Sequence, residues 1–189
     1  MILIHGRGAS AEDILGLVPH FDAPEWSYLA PQAQTGSWYP YSFLVPIEQN
    51  EPDVSLAIKM IKDIVLNLSK TGFSSQKIIV LGFSQGACLS LEFAARHPKR
   101  YGGIIALSGG LIGDRVNVTN YQGTLESTPV FLGCSDVDQH IPKTRVDESA
   151  VVFESLKAQV TKKIYKNVGH TINEDEILFI RSLIQSINT

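Results

Sequence analysis

The run Ile78-Ile79-Val80-Leu81-Gly82-Phe83-Ser84-Gln85-Gly86-Ala87 decides how this chain reads. Four apolar residues in succession, three of them β-branched, predict a strand, and the lack of alternation suits a strand covered on both faces. The pattern then turns helical from Gln85 to His97, where Pro98 stops it. A strand that bends at once into a helix strains the residue at the bend. Glycines at 82 and 86 let neighbouring backbone approach there without a Cβ in the way. Ser84 is therefore predicted at the apex, on the carboxyl edge of a sheet and beside a helix N-terminus. The G-x-S-x-G letters alone are weak evidence; the strand before them and the helix after give them weight.

The same alternation extends outward in both directions. Further strands are predicted at 2–4, 27–29, 104–107, 130–132 and 163–165, beside the one at 78–81. Ala57, Met60, Ile61, Ile64, Val65 and Leu68 form a helical stripe, with Pro52 near its start and Gly72 at its stop. Asn173-x-x-Glu176 caps a last helix whose Ile177, Ile180, Ile184 and Ile187 share a face. Strand–helix alternation without repeats or a polar linker predicts one α/β domain over residues 1–189, with a mostly parallel sheet. Two connections, 31–51 and 108–128, are unusually long, and such loops are often functional. The first carries Trp38, Tyr39 and Phe43, which could wall a substrate pocket or simply pack the loop down.

Composition narrows the classes. The chain has 189 residues, 44% hydrophobic and 19% charged, enough for one full core. Sixteen basic against nineteen acidic residues leave a net charge of −3, with no block of like charge, so nucleic acid is not an expected partner. Cys88 and Cys134 are too few for a disulfide framework and read as reduced thiols. No apolar run approaches the ~18 residues of a membrane span, and the first residues lack a basic leader region. A cytoplasmic location without stable membrane insertion is the expectation.

A serine hydroxyl needs a base, and the base an orienting acid. On a sheet of this kind the order along the chain is Ser, then Asp or Glu, then His. His5 and His20 precede Ser84, and His97 comes before any suitable acid, leaving His140 and His170. His170 follows the strand at 163–165 after Lys166-Asn167-Val168-Gly169, where a base can hang over the sheet edge, and it is the choice. For the acid, Asp136 and Asp138 both lie past the strand at 130–132, so order does not separate them. The run Asp136-x-Asp138-x-His140 also admits a metal site or a phosphatase loop. A phosphatase aspartate would follow its strand directly, and a hard metal would want more ligands, so neither metal nor cofactor is expected. The oxyanion would need two N–H donors: that of Gln85, and one from the loop His5-Gly6-Arg7-Gly8, where Arg7 would act through its backbone. That loop also reads as a plain turn capped by Ser10 with Asp13 three residues on.

Five blocks together, His5-Gly6-Arg7-Gly8, Ala30-Pro31-Gln32-Ala33, Gly82-Phe83-Ser84-Gln85-Gly86, Asp138-x-x-Ile141-Pro142 and Gly169-His170, resemble the α/β-hydrolase superfamily. They resemble its phospholipase/carboxylesterase branch, which includes the acyl-protein thioesterases. The resemblance implies an α/β-hydrolase fold of about six strands with helices on both faces. It implies Asp138 as the triad acid, three residues before the Ile-Pro pair, and the N–H groups of Arg7 and Gln85 as the oxyanion hole. It implies a serine hydrolase of small carboxylic esters, or of thioesters, working without a cofactor. The rival from another class is a non-catalytic binding protein on the same fold. Two departures stand out: Gln139 replaces a proline common after the acid, and the usual strands before the oxyanion loop are lacking. The strand at 27–29 is then expected as an open edge, which makes a homodimer paired through it a candidate arrangement.

Overall fold

In the computed structural model, which describes residues 1–188, five strands lie side by side in chain order: β1 (Ile2–Ile4), β2 (Ile79–Phe83), β3 (Gly103–Leu107), β4 (Pro129–Ser135) and β5 (Gln159–Tyr165). Every neighbouring pair is parallel. The helices are α1 (Ala11–Leu15), α2 (Asp53–Lys70), α3 (Gln85–Arg96), α4 (Lys143–Ser155) and α5 (Glu174–Asn188).

Strand side chains alternate between the two faces, and both faces are covered, which is why the apolar runs are continuous. Ile2, Ile4, Val80, Ile104, Val130 and Leu132 point into a core shared with α2, α3 and α4. Leu3, Ile79, Leu81, Ile105, Leu107 and Phe131 point the other way, into a core closed by α1 and α5. Phe131 stacks there on Phe179, ring centres 4.3 Å apart.

Four elements differ from the sequence reading. Strand β4 extends beyond the expected 130–132 to Ser135, so Asp136 follows it directly, because Gly133, Cys134 and Ser135 pair with Lys163, Ile164 and Tyr165 of β5. The strand expected at 27–29 is present as one bridge, Leu29 to Ile2, held by Leu3 N–H to Leu29 O at 2.8 Å and Leu29 N–H to Met1 O at 2.9 Å. Pro24 and Pro31 bracket that segment and keep the pairing short. Strand β5 begins four residues earlier than expected; as the last strand of the order it is only partly covered, so Gln159, Thr161 and Lys162 break the apolar signal. Helix α2 buries Val54, Ala57, Ile58, Ile61 and Val65, turning Met60 outward from the expected stripe.

The long loops at 31–51 and 108–128 contain only short 3₁₀ turns. The second is pinned by buried Arg145, which donates to the carbonyls of Leu111 and Gly113 at 2.9 and 2.6 Å, and by buried Glu92, which accepts from Ile112 N–H at 3.1 Å.

Helix α5 opens on the anticipated cap. Asn173 N–H donates to Glu176 at 2.9 Å, and Glu176 N–H donates to the Asn173 side chain at 3.2 Å. The Glu176 carboxyl is buried against Gly133, where any Cβ would overlap it. Burial pushes its pKa up to about 7 from the ordinary 4.5. Between those two pH values the folded carboxyl keeps a proton that the unfolded chain releases, so raising the pH favours unfolding. Urea denaturation should show stability falling from pH 5 to pH 8, by up to roughly 3 kcal/mol from this group. Glu176→Gln should flatten that slope; an equally steep slope in the variant would remove Glu176 as its source.

Candidate active site

Ser84 sits between β2 and α3 with φ 55° and ψ −119°, a left-handed conformation that an L-residue holds only when its surroundings enforce it. Ser84 N–H donates to Leu107 O at 2.9 Å, and its carbonyl accepts from Cys88 N–H at 3.0 Å. The flanking glycines are steric requirements. A Cβ on Gly82 would overlap the carbonyl of Gly86, and one on Gly86 would overlap the carbonyl of Ile4.

His170 lies 86 residues further along the chain, and its Nε2 is 2.9 Å from Ser84 Oγ. Its Nδ1 is 2.7 Å from Asp138 Oδ2. The imidazole is packed by Phe83, ring centres 5.0 Å apart, and by the edge of His140 at 4.9 Å. The Asp138 carboxylate is fully buried. Its Oδ1 accepts the N–H groups of His140 and Ile141 at 2.8 and 3.1 Å, and Cys134 Sγ lies 3.8 Å from Oδ2. Burial alone would raise this carboxyl. The hydrogen bonds from His170, His140 and Ile141 outweigh it and hold the carboxyl below its ordinary range, so it stays ionised.

Asp136 faces elsewhere: its Oδ1 accepts Asn167 N–H at 2.9 Å, which ties down the loop leading to His170. Gly169 N–H, donating to Ser135 Oγ at 3.1 Å, ties the same loop. Asp136 thus turns away from Asp138 and His140, which are joined only through the His140 backbone N–H. Among the described residues no group of three or more His, Cys, Asp or Glu side chains is arranged to hold a metal ion.

The loop from His5 to Gly8 runs beside the serine, since a Cβ on Gly6 would come within 3.3 Å of Ser84 Cβ. Among the described residues, neither Arg7 N–H nor Gln85 N–H is taken by a turn or ladder hydrogen bond. The helix-cap reading of this stretch holds as well: Ser10 and Asp13 form a reciprocal capping box at α1. His5 is buried and structural. Its Nδ1 donates to Gly6 O at 2.7 Å while Nε2 accepts Ala33 N–H at 3.1 Å, which fixes its tautomer.

A cavity of about 470 Å³ opens on Ser84 and His170. Buried Tyr39, Phe43 and Cys88 line its inner side. Burial pushes the Cys88 thiol up to about 12. Trp38, named with Tyr39 and Phe43 as a wall of this pocket, lies on the far face of the loop. Its indole N–H reaches back to His5 O at 2.8 Å, and it borders a neighbouring cleft instead. A larger cavity of about 730 Å³ lies at the bridge end of the sheet and shares no residue with the first. Sequence reading missed Phe83 against His170, Cys134 beneath Asp138, and the side-chain roles of Arg7 and Gln85. Ring packing and bonds to distant carbonyls leave no residue-type pattern to find.

A family model described as phospholipase/carboxylesterase matches residues 1–188. The crystal structure of a phospholipase/carboxylesterase from Dyadobacter fermentans DSM 18053 superposes with a TM-score of 0.93 at 41% identity, covering 97% of this chain and 88% of that one. Arabidopsis thaliana SOBER1 shares the fold, with a TM-score of 0.81 at 20% identity over 100% of this chain and 98% of that one. Among curated relatives, acyl-protein thioesterase 1 of Saccharomyces cerevisiae is 32% identical over 116 residues, 60% of this chain. That match spans 51% of the yeast protein, about half its length. A probable carboxylesterase of Oryza sativa subsp. japonica is 23% identical across 98% of this chain and 86% of its own.

Proposed function

Since this chain belongs to the phospholipase/carboxylesterase family of α/β-hydrolases, we propose that it hydrolyses small carboxylic esters through an acyl-enzyme on Ser84. The observation that carries this reading is the unbroken line Ser84–His170–Asp138, with gaps of 2.9 and 2.7 Å.

Ser84 Oγ attacks the ester carbonyl while His170 Nε2 takes its proton. Asp138 accepts from Nδ1, so the imidazole keeps the tautomer whose Nε2 is a base, and the imidazolium that forms is stabilised. The carbonyl oxygen, now an anion, is met by the N–H groups of Arg7 and Gln85, the second at the N-terminus of α3. His170 returns the proton to the departing alkoxide. Water, activated by the same imidazole, then cleaves the acyl-enzyme. No step calls for a metal or an organic cofactor.

A cavity of about 470 Å³ with an aromatic and thiol inner wall favours a short acyl group. An acyl series of p-nitrophenyl esters, run beside the matching thioesters, tests this. Acetyl to butyryl esters should give the highest kcat/KM, and a clear preference for long-chain thioesters would shift the assignment to thioesterase. A fluorophosphonate should label Ser84 within minutes and should not label Ser84→Ala. Failure to label the wild type would favour a binding protein instead.

A further inference from the structure

Arg7 and Gln85, which donate their backbone N–H groups in the proposed mechanism, send their side chains to one and the same place. The Arg7 guanidinium donates to the carbonyls of Tyr39, Pro40 and Tyr41 at 2.9, 2.8 and 2.6 Å. The Gln85 carboxamide accepts Trp38 N–H at 2.9 Å and donates to Tyr39 O at 2.9 Å. Between them, these two side chains hold residues 38–41, and both bond the Tyr39 carbonyl. That segment is a partition. Tyr39 and Pro40 line the cavity over Ser84 and also the neighbouring cleft of about 420 Å³, which reaches Leu56 and Met60 on α2.

Three consecutive carbonyl oxygens converging on one point repel one another unless a cation sits between them. A guanidinium suits the task because its N–H groups fan out in a plane. Among the described residues Arg7 forms no ion pair with a carboxylate. Its charge is directed at the loop. Gly8 N–H adds a further tie, to Gly36 O at 2.8 Å.

We propose that the Arg7 side chain is a positioning residue. By gathering the carbonyls of 39–41 it locks the cavity partition onto the oxyanion loop, so that acyl-chain selectivity and alignment of the Arg7 N–H are set together. This rests on the reading of Ser84 as nucleophile.

Arg7→Met keeps the aliphatic stem and removes the donors. The three carbonyls should then turn toward water and the partition loosen into the cleft. For p-nitrophenyl acetate, kcat should fall about 10- to 100-fold while KM changes by less than about threefold, as misaligned donors act on the transition state. The octanoate-to-acetate ratio of kcat/KM should rise about tenfold as the cavity lengthens. Arg7→Lys, which keeps the charge and three donors on one nitrogen, should recover part of both effects. Amide exchange over residues 38–41 should quicken at least about tenfold in Arg7→Met.

Measuring that exchange in a Ser84→Ala background separates the two claims. If Ser84 is not the nucleophile, activity survives in Ser84→Ala, yet the exchange still reports on the clasp. A chain-length ratio and kcat within about twofold of wild type, or unchanged exchange at 38–41, would overturn the proposal. Should Arg7→Met be recovered only as aggregate, Arg7→Gln, which can keep one of the three bonds, is judged by the same ratio and exchange.

Discussion

Ser84→Ala should lower kcat/KM on a p-nitrophenyl ester by roughly 10⁴-fold or more while its thermal midpoint stays at or above that of wild type. The substitution removes a single oxygen, 2.9 Å from His170 Nε2, and leaves the bend between β2 and α3 in place. Residual activity is expected from the proposed N–H donors of Arg7 and Gln85 and from binding, which would still act on a water attack. A companion variant sharpens the point. Ser84 holds φ 55°, so Ser84→Gly should be equally inactive yet more stable than Ser84→Ala, by roughly 1 kcal/mol. Steady-state kinetics with thermal melts of the three proteins provide the check, and turnover equal to wild type in Ser84→Ala would dispose of the mechanism.

Asp138→Asn should be nearly as damaging, with a loss of about 10³- to 10⁴-fold, whereas Asp136→Asn should stay within about threefold of wild type. The hydrogen bonds around each carboxylate dictate the difference. Asp138 Oδ1 accepts two backbone N–H groups, so an asparagine must keep its oxygen there. Its NH₂ group is thereby forced to face His170 Nδ1. The imidazole then presents its lone pair at Nδ1 and carries its proton on Nε2, where it can no longer accept the proton of Ser84. Asp136 needs only one acceptor, for Asn167 N–H, and asparagine supplies it. Kinetics of the two variants side by side decide the matter; a severe loss confined to Asp136→Asn would reverse the assignment.

The architecture was legible because β1 to β4 are covered on both faces and therefore spelled as continuous apolar runs. The bounds that differ lie where small or polar residues interrupt the apolar run, at 133–135 in β4 and toward the open margins of the sheet in β5 and at 27–29. Strand β5 therefore reads short from the sequence, and the segment at 27–29, hemmed in by prolines, reads long. In the site, Ser84 and His170 could be picked out by local context and chain order. Asp136 and Asp138 could not be parted by order, since two residues in one loop share the same address and only their hydrogen bonds differ. Trp38 shows a similar limit: an aromatic in a loop declares that it will be buried, but not on which side. The grip of Arg7 lies beyond any pattern of residue types, because its three acceptors are main-chain oxygens 32 to 34 positions away.

The Cys88 thiol beside Tyr39 and Phe43 bears on how this molecule should be probed. With its pKa raised to about 12, sulfur there carries almost no negative charge at neutral pH and resists alkylation. Maleimides and iodoacetamide are therefore expected to leave Cys88 unmodified, while phosphonate and carbamate warheads would react at Ser84 if it is activated as proposed. Covalent inhibitors for this protein are best built around oxygen-seeking electrophiles, and mass spectrometry of their adducts should return one modified peptide, free of thiol by-products.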